Sequence, residues 1–589
     1  SLVETVVVLA VAGILLGVAL TAMTHLLQKV MGGPHALRLA LVCSGCNPGN
    51  SPASFRLNSQ NDNLDNYREV GDETETEKKD KAFNIEGRQY VADALEAMFG
   101  TPDRPFVFRE SGLDLRKLRT ASGPVDGLPP SVRDADLKTL NERLAEVKKQ
   151  QAQSAEAVKD HESRVLTNLS NFAASKGLTN VKTPTDLKEQ EPAFREQFKS
   201  VLDAKTQADA ASAAAAGEAA DLELVIKSYL VPQKGLYRKH CAHCHGTTGD
   251  GAGPTAAFLN PHPRDYRQGI FKFKSTERAA KPTVADLRRI IVDGIPDTAM
   301  PSFALLPPDE IDALVEYVKY LSIRGEAETA LKARLFEDRK MMTPSRSELV
   351  KVALKEVAAS WNDASSAQIK PVEGYKPDAD RVAGLTGGAE QFAGQKGQCD
   401  TCHGTTGLGD GRKKSEPLFD IWNKSKEFGK FDDKIAGIRK NIADLQADEQ
   451  MNSDAKKEAV RTAEKNIAAL TNQRHSWLLP EQEQMPRNLR QGRFRFGRRP
   501  IDLYYRIYAG INGTEMPGGG PPSPGAQAKL TEKEIWQLVD YVQALPYFDE
   551  HGRLPKPGEH GPAHAPAGQP PAGHAEAAGP RTGEPSGGE

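Results

Sequence analysis

Apolar residues recur along this chain mainly with a helical period. Leu137, Leu140, Leu144 and Val147 alternate steps of three and four, the seam of a coiled-coil-like helix, and Ala-rich helix-favouring sequence continues to about Ala220. Two further stripes match each other: Ile311, Leu314, Val315, Val318 and Leu321, then Ile535, Leu538, Val539, Val542 and Leu545. Asp309 and Glu532 fall in the first turns of these helices, where a carboxylate suits the helix dipole. Between them, Ile435, Ile438, Ile442 and Leu445 face Val460, Ala463, Ile467 and Leu470 across polar Asn452-Ser453-Asp454, which predicts a helical hairpin within 413–480. The pattern fails at the ends. Thr5 to Met23 is one uncharged apolar run, near the minimum for a membrane-spanning helix. Residues 47–85 are polar, and 551–589 are low-complexity Gly, Pro, Ala, His and Glu.

Charge and cysteine spacing narrow this all-α picture. The 589 residues carry 77 basic and 79 acidic side chains, a formal net charge of −2, so no global field draws the chain to nucleic acid. The six cysteines form three Cys-x-x-Cys pairs, Cys43/Cys46, Cys241/Cys244 and Cys399/Cys402. Histidine follows only the last two, as His245 and His403. Cys-x-x-Cys-His is the signature of covalent c-type haem attachment, two thiols for the vinyl groups and an imidazole for the iron. A zinc knuckle needs a fourth ligand that the second motif lacks nearby, and a thiol redox pair leaves the repeated histidine unexplained.

The two motifs sit in a duplicated segment. Cys-His-Gly-Thr-Thr-Gly-Asp-Gly at 244–251 matches Cys-His-Gly-Thr-Thr-Gly-Leu-Gly-Asp-Gly at 402–411, and the Pro-Arg segment from Pro263 to Phe273 matches Pro486 to Phe496. Asp286-Leu287 through Met300-Pro301 then aligns with Asp502-Leu503 through Met516-Pro517, before each terminal helix. This order resembles the class I cytochrome c domain over about 226–323 and 386–547, less the insert. The resemblance implies two covalently bound haem c groups with His245/Met300 and His403/Met516 as axial pairs. A His/Met pair closes the iron to substrate and suits electron transfer. His262 and Met485 are competing distal groups, and Arg264, Arg267, Arg487 and Arg490 are candidate partners for haem propionates.

The amino terminus offers two anchors. Ser1 to Leu15 resembles a processed type IV pilin, and Leu39 to Asn47, with its Ser-Gly-Cys, resembles a bacterial lipoprotein signal whose lipid would sit on Cys46. The expected layout is an anchor over 1–46, a linker over 47–85 and a coiled-coil-like region over 86–225. A cytochrome c domain over 226–325, a linker over 326–385, a second domain over 386–550 and a disordered tail follow. The expected function is electron transfer in a respiratory chain, on the periplasmic side of a bacterial membrane, between redox protein partners and without a small-molecule substrate. The alternatives are a dihaem peroxidase-like enzyme or a dihaem subunit of a larger oxidase or reductase.

Overall fold

The computed structural model describes residues 87, 89–337, 346–371, 381–411, 426–447, 453–477, 482–522 and 525–548, with single positions 55, 57 and 479. The apolar run 5–23, Cys43, Cys46, most of 47–85 and the tail 551–589 lie outside the described residues. The chain is helical, without a named strand among the described residues. Among them no helix is long and apolar enough to cross a membrane.

Two helical units contain the repeated motifs. The first is built on the helix Pro308–Glu337, which opens on proline with Asp309 and Glu310 in its first turn. Its predicted stripe, Ile311, Leu314, Val315, Val318 and Leu321, is buried. Burial then continues through Ala327, Leu331 and Leu335, so 326–337 extends this helix where the sequence suggested a linker. The next helix, Arg346–Asn362, packs Leu354 and Trp361 on the same core, while Ile369 just beyond joins the core of the second unit. Its buried positions Leu354, Ala358 and Trp361 recur at helical steps of four and three, and the helix with Ile369 forms a packed strap between the units.

The first unit also begins earlier than the sequence suggested. Val91, Leu95, Met98 and Phe99, on the helical stretch 89–99, are buried against it, and Tyr320 Oη donates to the Phe99 carbonyl. The helix Leu115–Ala121, started by Asp114 accepting from Arg116 N and Lys117 N, packs across Pro308–Glu337. The chain then leaves and returns to the same point. Gly235 N donates to Ser122 O at 3.2 Å and Lys234 N to Thr120 O at 3.1 Å. Residues 123–233 are thus an excursion, an antiparallel hairpin of Pro130–Ser175 and Lys199–Ser228. At 1.5 Å per residue its 46-residue arm reaches about 70 Å. Val147, Ala219 and Leu222 fill its seam, with Leu140 and Leu144 partly buried, and Leu169, Phe172, Leu187 and Phe194 close its far end. The segment 86–225 is therefore two structures, a piece of the first unit and a projecting arm.

In the second unit the helix Arg381–Ala393 crosses Glu532–Ala544, with Phe392 against Tyr541 at 5.3 Å. Ile535, Leu538, Val539 and Val542 are buried there, and Leu545 follows in a 3-10 turn. The insert folds as Lys426–Ala447 packed on Ser453–Trp477, with Ile435 buried in its seam.

Candidate haem-binding sites

Each Cys-x-x-Cys-His forms one short helical turn, Ala242–His245 and Asp400–His403. Cys244 N and His245 N donate to Cys241 O at 3.1 and 2.9 Å, and Cys402 N and His403 N to Cys399 O at 3.3 and 2.9 Å. Such a turn presents two thiols and an imidazole to one wall. The chain after it runs in the same register in both units without a gap. Gly251 N bonds His245 O as Gly409 N bonds His403 O, and Gly253 N bonds Cys244 O as Gly411 N bonds Cys402 O. In this register Asp250 stands opposite Leu408 and Gly251 opposite Gly409.

The imidazoles are oriented from behind. His245 Nδ1 lies 3.0 Å from Arg264 O, and His403 Nδ1 lies 3.0 Å from Arg487 O. A carbonyl only accepts, so each Nδ1 carries the proton and each Nε2 keeps its lone pair. Burial lowers His245 to about 4 and also lowers His403, so both are neutral near pH 7. The His245 ring also stacks on Tyr266 at 4.6 Å. Burial raises the Cys241 thiol to about 12 and Cys399 to about 11, which keeps both as thiols until a bond to carbon removes the ionisable proton.

Opposite each wall stands a methionine loop of repeated geometry. Ile295 N donates to Met300 O at 3.1 Å, Thr298 Oγ1 donates to Ile295 O at 2.8 Å, and Met300 N donates to Thr298 Oγ1 at 3.1 Å. In the second unit the same contacts join Ile511, Thr514 and Met516 at 3.2, 2.8 and 3.2 Å. Each loop follows a helix that ends on glycine, Gly294 or Gly510, at φ near +70°. A Cβ on Gly294 would lie 2.7 Å from Met300 O, and one on Gly510 2.7 Å from Met516 O, so the loop can close only over glycine.

The first cleft is lined by Cys241, Cys244, His245 and Met300, with Leu287, Ile291, Leu314 and Val318 as apolar wall. The second is lined by Cys399, Cys402, His403 and Met516, with Leu489, Phe494, Leu503 and Leu538. Its volume of about 560 Å³ falls within the range usual for cofactor sites. The first cleft is tighter, about 150 Å³. Donor chemistry fits a covalently held haem in both, and Gln484 Nε2, buried without a hydrogen-bond partner, adds a donor in the second.

Arg264 and Arg487 line the clefts, but Arg267 and Arg490 do not. Arg267 is held by Asp265 at 2.8 Å and Arg490 by Phe548 O, so neither serves the propionate role suggested by its repeat. His262 and Met485 each line a cleft, with His262 Nδ1 2.9 Å from Ala256 O. The sequence reading missed the shared wall: Lys272, Phe273 and Arg495 line both clefts. Its signal was the repeated aromatic and basic pattern Phe271-Lys272-Phe273 and Phe494-Arg495-Phe496, whose first phenylalanine in each copy is buried in its own unit.

Fold, thiol pair, oriented imidazole and methionine loop together define a c-type haem-binding module. Comparison with known families agrees for the first unit: the cytochrome c family model matches residues 233–322, so the chain contains a cytochrome c domain, with the covalent haem c and electron transfer that this implies. No curated protein matches the sequence. Among solved structures, a chain of the Kuenenia stuttgartiensis reducing HAO-like protein complex Kustc0457/Kustc0458 is 22% identical, covering 52% of this chain and 93% of that one, with a TM-score of 0.32. A superposition that loose bears on neither fold nor function.

Proposed function

We propose that the chain is a dihaem electron carrier with one haem c in each unit. The observation that supports this most is the repetition of a complete donor set. The second cleft reproduces the first in its thiol turn, its carbonyl-oriented histidine and its methionine loop, with the same hydrogen-bond partners at closely similar lengths. A bound haem would supply a one-electron couple, with His245 and Met300 holding one and His403 and Met516 the other. The protein's own part is to fix the tautomer of His245 and His403, to present Met300 and Met516 from rigid loops, and to exclude water with apolar walls. Lys272, Phe273 and Arg495, common to both clefts, make the two sites neighbours suited to passing electrons in series.

The same reading places the molecule at a bacterial membrane, with the haem units on the extracytoplasmic side where thioether attachment occurs, tethered through the apolar run 5–23 or a lipid on Cys46. Its partners are redox proteins of a respiratory chain. Intact mass and reductive titration test the core of this proposal: two haem masses and two electrons per chain are expected. One haem, or a high-spin iron that binds peroxide, would refute the relay. Cys46→Ala set against deletion of residues 1–22 separates lipid from helix, and retention at the membrane in both would refute the tether.

A further inference from the structure

The two units meet through the same parts of the repeat. Phe273 and Phe496, equivalent positions, stack at 5.7 Å with planes 10° apart, and Arg289 pairs with buried Asp502 at 2.6 and 2.9 Å. Each methionine loop touches the other unit. Arg278 Nη1 donates to Met516 O at 3.3 Å, and Asn512 Nδ2 donates to Arg278 O at 2.7 Å. In the opposite direction, Asp297, three residues before Met300, accepts from Arg487 and lies 3.4 Å from Arg493 Nη1, while its carbonyl takes Arg495 Nη2 at 3.5 Å.

Asp297 sits at φ 56°, in left-handed backbone, and the equivalent residue of the second loop is Gly513 at φ 72°. The loop therefore accepts glycine here, and in the first unit a carboxylate occupies the slot despite the strain. Its partner has two jobs. Arg487 gives its carbonyl to His403 Nδ1 and its guanidinium to Asp297. One residue thus connects the backbone that orients the proximal histidine of the second site to the loop that carries the methionine of the first.

We propose that Asp297 and Arg487 are positioning residues that couple the two sites, so that a change in the ligand set of one is felt at the other. The redox arm of the test rests on the two-haem reading above, and the exchange arm does not. In hydrogen exchange on the full haem-loaded chain, Arg487→Gln, a change in the second unit, should speed exchange over 295–300 in the first by about three- to tenfold. Asp297→Gly, which the backbone tolerates as at Gly513, should do the same. The double variant should add nothing to Asp297→Gly, since that change already removes the partner of Arg487 together with the weaker 3.4 Å pair to Arg493. In redox titration, each single variant should shift the midpoint of the haem in the unit it does not belong to, with shifts that are not additive in the double variant. Wild-type exchange in Arg487→Gln, or additive effects in either arm, overturns the coupling, because independent charges act additively. A wild-type chain that holds only one haem overturns the two-haem reading and removes the redox arm, but still leaves the exchange arm to decide whether loop and arginine are locked together.

Discussion

Gly294 and Gly510 show how single residues set this chemistry. Each ends a helix at φ near +70° and lets the methionine loop fold back within van der Waals reach of the helix end. Gly294→Ala should lower the stability of the first unit by about 1–3 kcal/mol, from backbone strain and the clash with Met300 O. It should also weaken the far-red absorption of the methionine-ligated ferric iron at the first site, while Gly510→Ala acts chiefly on the second. Equal loss of both signals in either variant would contradict loop-by-loop control. At this scale much was legible. The thiols, histidines and methionines stand out because their chemistry is tied to a fixed spacing. The carbonyls of Arg264 and Arg487 were not legible, since any residue supplies a carbonyl and only the fold brings it to Nδ1.

Among elements, the interface between the units rests on a buried charge. Burial alone would raise the Asp502 carboxyl, but Arg289 and Arg499 outweigh it and hold the group below its ordinary 3.8. A depressed carboxylate contributes stability that is present above the unfolded value and lost as pH falls through the folded one. Docking of the two units should therefore persist at pH 5 and fail only below about 3.8, as read by small-angle scattering; separation at pH 5 would contradict this. Asp502→Asn should cost roughly 2 kcal/mol at neutral pH, since it removes the buried carboxylate between Arg289 and Arg499 and leaves Arg289 only its longer pair with Asp293. The terminal helices were readable from their stripes because one face of each is buried. The helix Leu115–Ala121 was not, because its two buried leucines, Leu115 and Leu118, span too short a stretch to establish a period.

Across the whole molecule, two haem-motif units carry two helical hairpins at different points of the repeat. One leaves between Ser122 and Gly235, before the first haem motif, and the other lies within 413–480, after the second. Replacing 426–477 with a short flexible linker should leave both haem spectra unchanged, because the second core is made from 369–392 and 489–548 without the hairpin. Loss of the second haem signal in that variant would show that the hairpin helps to build the cleft. The sequence marked both hairpins as helical but placed the first beside its unit instead of inside it. An excursion whose ends meet leaves no trace in periodicity; only the pairing of Thr120 and Ser122 with Lys234 and Gly235 reveals it.

The measurement that bears most directly on the dihaem account is a redox-titrated visible spectrum of the haem-loaded chain with its Met300→Ala and Met516→Ala variants. Two low-spin irons should titrate, and each variant should lose about half of the far-red methionine band. The midpoint of the altered haem should fall by on the order of 0.1 V, a modest part of the roughly 0.8 V over which axial ligands tune haem. A single titrating iron, or a band untouched by either substitution, would contradict the account.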